Sequence, residues 1–214
     1  MPPQGSIRAA YDLASEAYAR KFLGELDFKP FDRELLQHFS TLVGAKSPVL
    51  DLGCGPGHTT AHLTSLGLDA TGVDLSPRMI EIASQNFPQS RFAIGNFFAL
   101  PFPSDAFAGI LALYCIVHLT PAQLPHMFAE MFRVLKKDGV LLLSFHLGVE
   151  VIRAENFLES GATLDFQLFG AHQVTSALAT VEFDSIDSRI RPPYSTEHPT
   201  TRCYVLAHKP GGAA

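Results

Sequence analysis

The 214-residue sequence has no apolar stretch approaching the roughly 18 residues that a membrane span needs, so no spanning helix is expected. It also lacks the charged start, apolar centre and small-residue cleavage site of a secretory leader. Its first residues read MPPQGSIRAAYDLASEAYARKF, and a cytoplasmic address is the default expectation. Cysteine is scarce: Cys54, Cys115 and Cys203 are far apart, odd in number and form no CxxC pair, which argues against a disulfide framework and a zinc site. They are read as reduced thiols. No run of Lys or Arg exceeds two residues and the formal net charge is −5, so the footprint of a nucleic-acid binder is missing. Histidine is plentiful at nine, yet no HExxH or other metal spacing occurs, and no metal is expected. His58 and His62, four apart with no carboxylate or Cys arranged beside them, are read as exposed positions on a helix face. No internal repeat is visible, and the low-complexity ending PGGAA is expected to be disordered over 211–214.

What remains is a chain long enough for one domain with a sizeable core, 47% hydrophobic and 17% charged. Ile7, Ala10, Tyr11, Ala14, Tyr18 and Phe22 recur at three- and four-residue spacings and predict an amphipathic helix over about 6–23. A second helix, about 31–43, starts after Pro30 and aligns Phe31, Leu35, Phe39 and Leu42. From residue 48 the pattern alternates short apolar runs with helical periods, the signature of βαβ units in a mainly parallel sheet. Strands are expected near 48–52, 69–74, 91–95, 107–114 and 139–146. Ser76-Pro77 reads as an N-cap with proline at the first helical position, opening a helix that ends before Pro88. Thr120, Pro121 and Gln123 form a partial capping box for a helix that carries Leu124, Phe128, Met131 and Leu135 and stops at Lys136-Lys137-Asp138-Gly139. A polar-apolar segment LDFQLF, a helix over 171–180 and strands near 182–190 and 202–208 complete the chain. Arg191-Pro192-Pro193-Tyr194 is read as the loop between those strands. The organisation expected is a single domain over 1–210, with a helical cap at 1–46, a core at 47–147 and a C-terminal completion at 148–210.

Residues 49–57 read VLDLGCGPG, placing Gly53, Gly55 and Gly57 where the first strand meets a helix, the nucleotide-binding position of a doubly wound sheet. Glycines there let a ligand lie against bare backbone, while the helix start offers unpaired N–H groups. Asp74 falls 21 residues after Gly53 at the end of the next strand, where a carboxylate can accept both hydroxyls of a ribose. Dinucleotide enzymes read GxGxxG, whereas here Gly57 is two positions after Gly55 and His58 takes the expected place of the third glycine. Asp51 would repel a pyrophosphate but suit a ligand carrying an ammonium or sulfonium. The site is read as built for a cationic adenosyl ligand.

At these residues the chain resembles the class I S-adenosylmethionine-dependent methyltransferases, in their small-molecule branch. VLDLGCGPGHTTAHL is similar to their first motif and GVDLSPRMIEIA to their second. GNFFALPFPSDAFAGILALYCIVHL and MFRVLKKDGVLLLSF are similar to their later ones, in order over about 47–147. The resemblance implies an α/β fold: a Rossmann-like, doubly wound, seven-stranded, mainly parallel sheet with the last strand antiparallel, helices on both faces and an N-terminal helical cap. It implies S-adenosyl-L-methionine as cofactor, with S-adenosyl-L-homocysteine as product. Gly53, Gly55 and Gly57 would back the methionine and ribose portion, Asp51 would bind the amino end, and Asp74 would take the ribose hydroxyls. Leu75 and Met79 would pack on the adenine. Asn96, in place of the acid usual after the third strand, would accept from the adenine amino group, with Phe97 as an apolar wall. The carbonyl near Leu113 would receive the methionine ammonium, and Tyr11 and Tyr18 would cover the cofactor.

Tyr114, His118 and His146 are the candidates for a general base, needed only if the acceptor is protonated. Phe97, Phe98, Phe102, Phe107, Phe157 and Phe166 suit an apolar or aromatic small-molecule acceptor. The expected enzyme works as a monomer or homodimer without nucleic acid or membrane. A nicotinamide-dependent oxidoreductase and a non-catalytic adenosine-ligand protein are the alternatives; the acceptor and its reacting atom are not legible.

Overall fold

The computed structural model describes residues 4–212. The rest of the ending expected to be disordered, 213–214, lies outside the described residues. Helices α1 (Gln4–Phe22) and α2 (Pro30–Val43) form the N-terminal cap, joined by a 3₁₀ turn over Glu25–Phe28. The alternating segment follows as β1 (Pro48–Leu52), α3 (His58–Ser65), β2 (Asp69–Asp74), α4 (Pro77–Asn86), β3 (Arg91–Ile94) and β4 (Phe107–Leu113). Then come α5 (Leu124–Val134), β5 (Leu135–His146), β6 (Val151–Ala154), β7 (Leu164–Gln167), α6 (Ala171–Thr180), β8 (Asp184–Arg191) and β9 (Arg202–His208).

Seven strands form one sheet in the order β3-β2-β1-β4-β5-β9-β8. The first five run parallel, and β9 is antiparallel to both its neighbours. This is the doubly wound, Rossmann-like arrangement with an antiparallel last strand. Period-two alternation divides its central strands between two cores. Leu50, Leu52, Ile110, Leu141 and Leu143 face Met127, Phe128 and Met131 of α5. Val49, Leu111, Val140 and Leu142 face Leu35, Leu36 and Phe39 of α2, with Leu63 of α3. Each fully buried Leu or Phe contributes about 1.5–3 kcal/mol, and these side chains clamp the strand ends that carry the site.

Helix starts follow their local chemistry. The Ser76 hydroxyl accepts from the Met79 N–H at 3.1 Å, with Pro77 opening α4. That hydroxyl also donates to Asp12 at 2.6 Å, which pins α1 against the start of α4. The capping box of Thr120 and Gln123 is present, but it heads a short 3₁₀ turn, Pro121–Gln123, from which α5 continues.

Three expectations need correction. The helix expected to include Leu135 ends at Val134, because Leu135 pairs with Phe107 and begins β5 four residues before the expected 139. A register shift between Phe107 and Gly109, with Asp138 at φ 60°, takes up the extra residues. Residues 151–167 form a separate antiparallel hairpin, β6–β7, where only a polar-apolar segment was expected. His58 and His62 are partly buried, not exposed. Glu25, 33 positions upstream, meets His58 Nε2 at 3.0 Å, a carboxylate that sequence proximity could not reveal.

Candidate cofactor and catalytic site

The strand order reverses between β1 and β4, which opens a crevice at their carboxyl ends. A cavity of about 710 Å³, open mouth included, lies there. Gly53 and Gly55 line it from the loop after β1, Asp74 and Leu75 from the end of β2, and Met79 from α4. Leu113, Tyr114 and His118 line it from the end of β4, Phe97 from the segment after β3, and Tyr11 and Tyr18 from α1. Eleven of the fifteen residues singled out from sequence therefore meet on one wall system. Ile7, Cys115 and Leu119 join them and were missed, although Ile7 shares the helical face of Tyr11 and the other two adjoin named residues.

The three glycines prove unequal. Gly53 and Gly55 hold φ of +77° and +52° at the cavity; a Cβ on Gly53 would come within 2.7 Å of the Cys115 side chain, and one on Gly55 would stand 3.6 Å from the Tyr18 ring. Gly57, at φ +89°, does not line the cavity, and a Cβ there would come within 2.7 Å of the Phe92 ring and 2.8 Å of Ala83. Its smallness lets the loop before α3 pack against β3 and α4.

Asp74 is fixed by backbone: Oδ2 accepts from Gly55 N–H at 2.9 Å and Oδ1 from Ser76 N–H at 2.8 Å. A carboxylate has about four acceptor positions, so capacity for two hydroxyl donors remains. Burial pushes this carboxyl up to about 6, against the downward pull of the two backbone bonds. Asp51 lies beneath the loop, 2% exposed and outside the cavity lining. Its Oδ2 accepts from the hydroxyls of Thr59 and Thr60, each at 2.6 Å, so that this carboxylate braces the first turn of α3. Asn96 also stands outside the lining, its Oδ1 accepting from Phe98 N–H at 2.9 Å.

The three candidate bases separate cleanly. His146 does not line the cavity; its Nδ1 meets the Thr200 hydroxyl at 2.7 Å, and burial pushes its imidazole down to about 4. Tyr114 stands at the wall in a left-handed conformation, φ 53°. Its hydroxyl turns to that of Tyr204 at 3.0 Å. Tyr204 in turn donates to Asp32 at 2.8 Å, so Tyr114 is the donor of its own bond and its proton is committed.

His118 Nδ1 lies 2.8 Å from the carbonyl of Asp165 in β7, an acceptor only, so Nδ1 carries the proton. Burial pushes this imidazole down to about 4, leaving it neutral near pH 7 with a free lone pair on Nε2. Tyr11 Oη donates to that lone pair at 2.7 Å. Desolvation holds the Tyr11 phenol well above its usual range. A phenol backed by a neutral, correctly oriented imidazole is a site for moving one proton.

Among the described residues no three His, Cys, Asp or Glu side chains gather to hold a metal, and no helix is long and apolar enough to cross a membrane.

Residues 49–139 match the family model described as a methyltransferase domain. With that match, this segment is a methyltransferase domain, set on the sheet order and the glycine-Asp74 crevice described above. An uncharacterised methyltransferase of Synechocystis is 34% identical over 110 residues, covering 51% of this chain and 50% of that protein. The chain spans about half the length of the curated relatives it matches. In fold it is similar to an S-adenosylmethionine-dependent methyltransferase of Methanosarcina mazei, at TM-score 0.73 and 20% identity, covering 81% of this chain and 97% of that one. It is also similar in fold to the [4+2]-cyclase SpnF, at TM-score 0.78 and 16% identity, covering 99% of this chain and 98% of that one. These two likenesses are of fold, which does not by itself fix a reaction.

Proposed function

We propose that this protein is an S-adenosylmethionine-dependent methyltransferase acting on a small-molecule acceptor. The observation that carries the reading is the pairing of Gly53 and Gly55, bare backbone at the cavity, with Asp74, whose raised carboxyl has acceptor capacity to spare. The residues fit the cofactor on chemistry. Asp74 suits the ribose hydroxyls, Leu75, Met79 and Phe97 offer apolar surface for the adenine, and the Tyr18 ring lies beside Gly55 in the same wall. Bound there, the cofactor supplies a methyl group on a sulfonium, an electrophile that needs no further activation.

The chain's own contribution is alignment and proton handling. Holding two reactants in register is worth on the order of 7–11 kcal/mol, and the walls from α1 and from the end of β4 do so while excluding water. Tyr11 Oη is the atom that takes the acceptor's proton as its own passes to His118 Nε2. Tyr114 contributes its ring face, and Asp51 supports the loop from below.

Isothermal titration with S-adenosylhomocysteine and with NADH tests the cofactor: tight binding of NADH and none of S-adenosylhomocysteine overturns the proposal. Methyl transfer from labelled S-adenosylmethionine across an acceptor panel tests the reaction, and cofactor binding with no transfer to any member favours a non-catalytic adenosine-ligand protein.

A further inference from the structure

The charges around the cavity are already spoken for. Its lining contains neither Lys nor Arg; its polar side chains are Tyr11, Tyr18, Asp74, Cys115, Tyr114 and His118. His118 adds no cation, because burial keeps its imidazole neutral with the proton on Nδ1. The cations packed behind this wall are paired. Lys29, 5.5 Å over the Tyr114 ring, binds Glu25 at 2.7 Å and Glu197 at 3.3 Å. Arg191, which donates to the Tyr204 hydroxyl, binds Asp32 at 2.9 Å and Glu197 at 2.7 Å. The side chains of both cations and of Asp32 and Glu197 are nearly all buried, so freeing either cation would strand a buried carboxylate.

The second layer is aromatic. Phe157, on a turn where Asn156, Leu158 and Glu159 all hold positive φ, packs 6.4 Å from both Tyr11 and Tyr18. Phe166 of β7 packs 5.0 Å from His118 and 5.4 Å from Phe157. The hairpin and its connecting turn thus set rings behind the two groups that handle the proton, while the Asp165 carboxylate of β7, which acts on the His118 imidazole, is itself paired with Arg153 at 3.3 Å.

We propose that the acceptor is an uncharged, ring-bearing molecule presenting a nucleophilic O–H or N–H, and that the site refuses acceptors bearing phosphate or carboxylate. This rests on the methyltransferase reading above. In the step, the acceptor's lone pair forms the new bond to the methyl carbon as the carbon–sulfur bond breaks onto sulfur. The acceptor's proton goes to Tyr11 Oη and the Tyr11 proton to His118 Nε2. One positive charge leaves sulfur and one arrives on imidazole, so the site carries the same charge before and after. An anionic acceptor would share the cavity with Asp74 and find no Lys or Arg in the lining to pair with. A carboxylate nucleophile would also have no proton to give, leaving the Tyr11–His118 pair without a task.

The test uses the full chain saturated with S-adenosylhomocysteine, whose own binding is first measured by calorimetry. Failure at that stage overturns the methyltransferase reading, and this proposal with it. Two matched pairs of probes are then titrated into the complex: 2-naphthol against 2-naphthyl phosphate, and methyl 3,4-dihydroxybenzoate against its free acid at pH 7.5. The expected result is saturable binding of the neutral member at least tenfold tighter in both pairs. A smaller preference in either pair, a preference for the anion, or no saturable binding of either neutral probe overturns the proposal while leaving the cofactor reading intact.

Discussion

Tyr11 Oη stands 2.7 Å from His118 Nε2 across 107 positions of sequence, joining the N-terminal cap to the end of β4. Both side chains line the cavity, and Asp165 O holds the imidazole in the tautomer that leaves Nε2 free to accept. Neither residue could take a proton in this way without the other.

Substitution of the pair follows from that dependence. Tyr11→Phe and His118→Asn should each lower kcat by about 10²–10⁴ for an acceptor with a titratable proton, and leave cofactor affinity nearly unchanged. Because the two act as one relay, the double variant should be no slower than the worse single one. Steady-state kinetics on the three variants decides it, and additive losses would separate the two roles.

Cofactor affinity should depend on pH through Asp74. Hydroxyl donors favour the carboxylate, so a proton on Asp74 competes with the ligand. With the free carboxyl at about 6, the Kd for S-adenosylhomocysteine should be flat above pH 7 and weaken toward tenfold per pH unit below 6. Asp74→Asn should bind weakly and with a flat profile. A flat wild-type profile from pH 5 to 8 would remove Asp74 from the ribose contact.

Acid should destabilise the fold through His118. Its folded value of about 4 lies below the usual 6.5, so the unfolded chain takes up a proton before the folded one does. The contribution of the neutral imidazole is complete above pH 6.5 and is lost as pH falls toward 4, a difference of roughly 3 kcal/mol. His146 acts in the same sense, while Asp74, whose value is raised, opposes them between about 4 and 6. Urea midpoints should fall from pH 7 to pH 4.5, and His118→Asn should shrink that fall. An unchanged fall would place the effect elsewhere.

The glycines should divide between stability and binding. Gly57→Ala puts a Cβ within 2.7 Å of Phe92 in a left-handed conformation and should lower the Tm. Gly55→Ala has 3.6 Å of clearance and faces the cavity, so its larger effect should be on the Kd for S-adenosylhomocysteine. Melting curves and titration on the two variants separate these outcomes. The reverse assignment would mean that Gly57 approaches the ligand.

Much of the fold was legible because its signals are local. The Ser76-Pro77 start, the β1 run ending at Asp51-Leu52 and the helical face of Tyr11 and Tyr18 each depend on residues within a turn or two. The hairpin β6–β7 was not legible: its strands are four residues each, and they are held by cross-strand partners and by the bridge from Leu147 to Phe169. Leu135 was misplaced because a buried leucine at a helix end satisfies the helical period as well as it satisfies a strand.

The sequence by itself determined where the glycine loop and Asp74 stand. Gly53, Gly55 and Asp74 sit at strand ends whose positions follow from short-range hydrophobic pattern and turn chemistry. Tertiary structure alone decided what surrounds them. It turned Tyr114 toward Tyr204, sent Asp51 to Thr59 and Thr60, paired His58 with Glu25 and set Tyr11 against His118. Each of those outcomes depends on which polar groups are brought within about 3 Å in a space closed to water, and no local rule carries that distance along the chain.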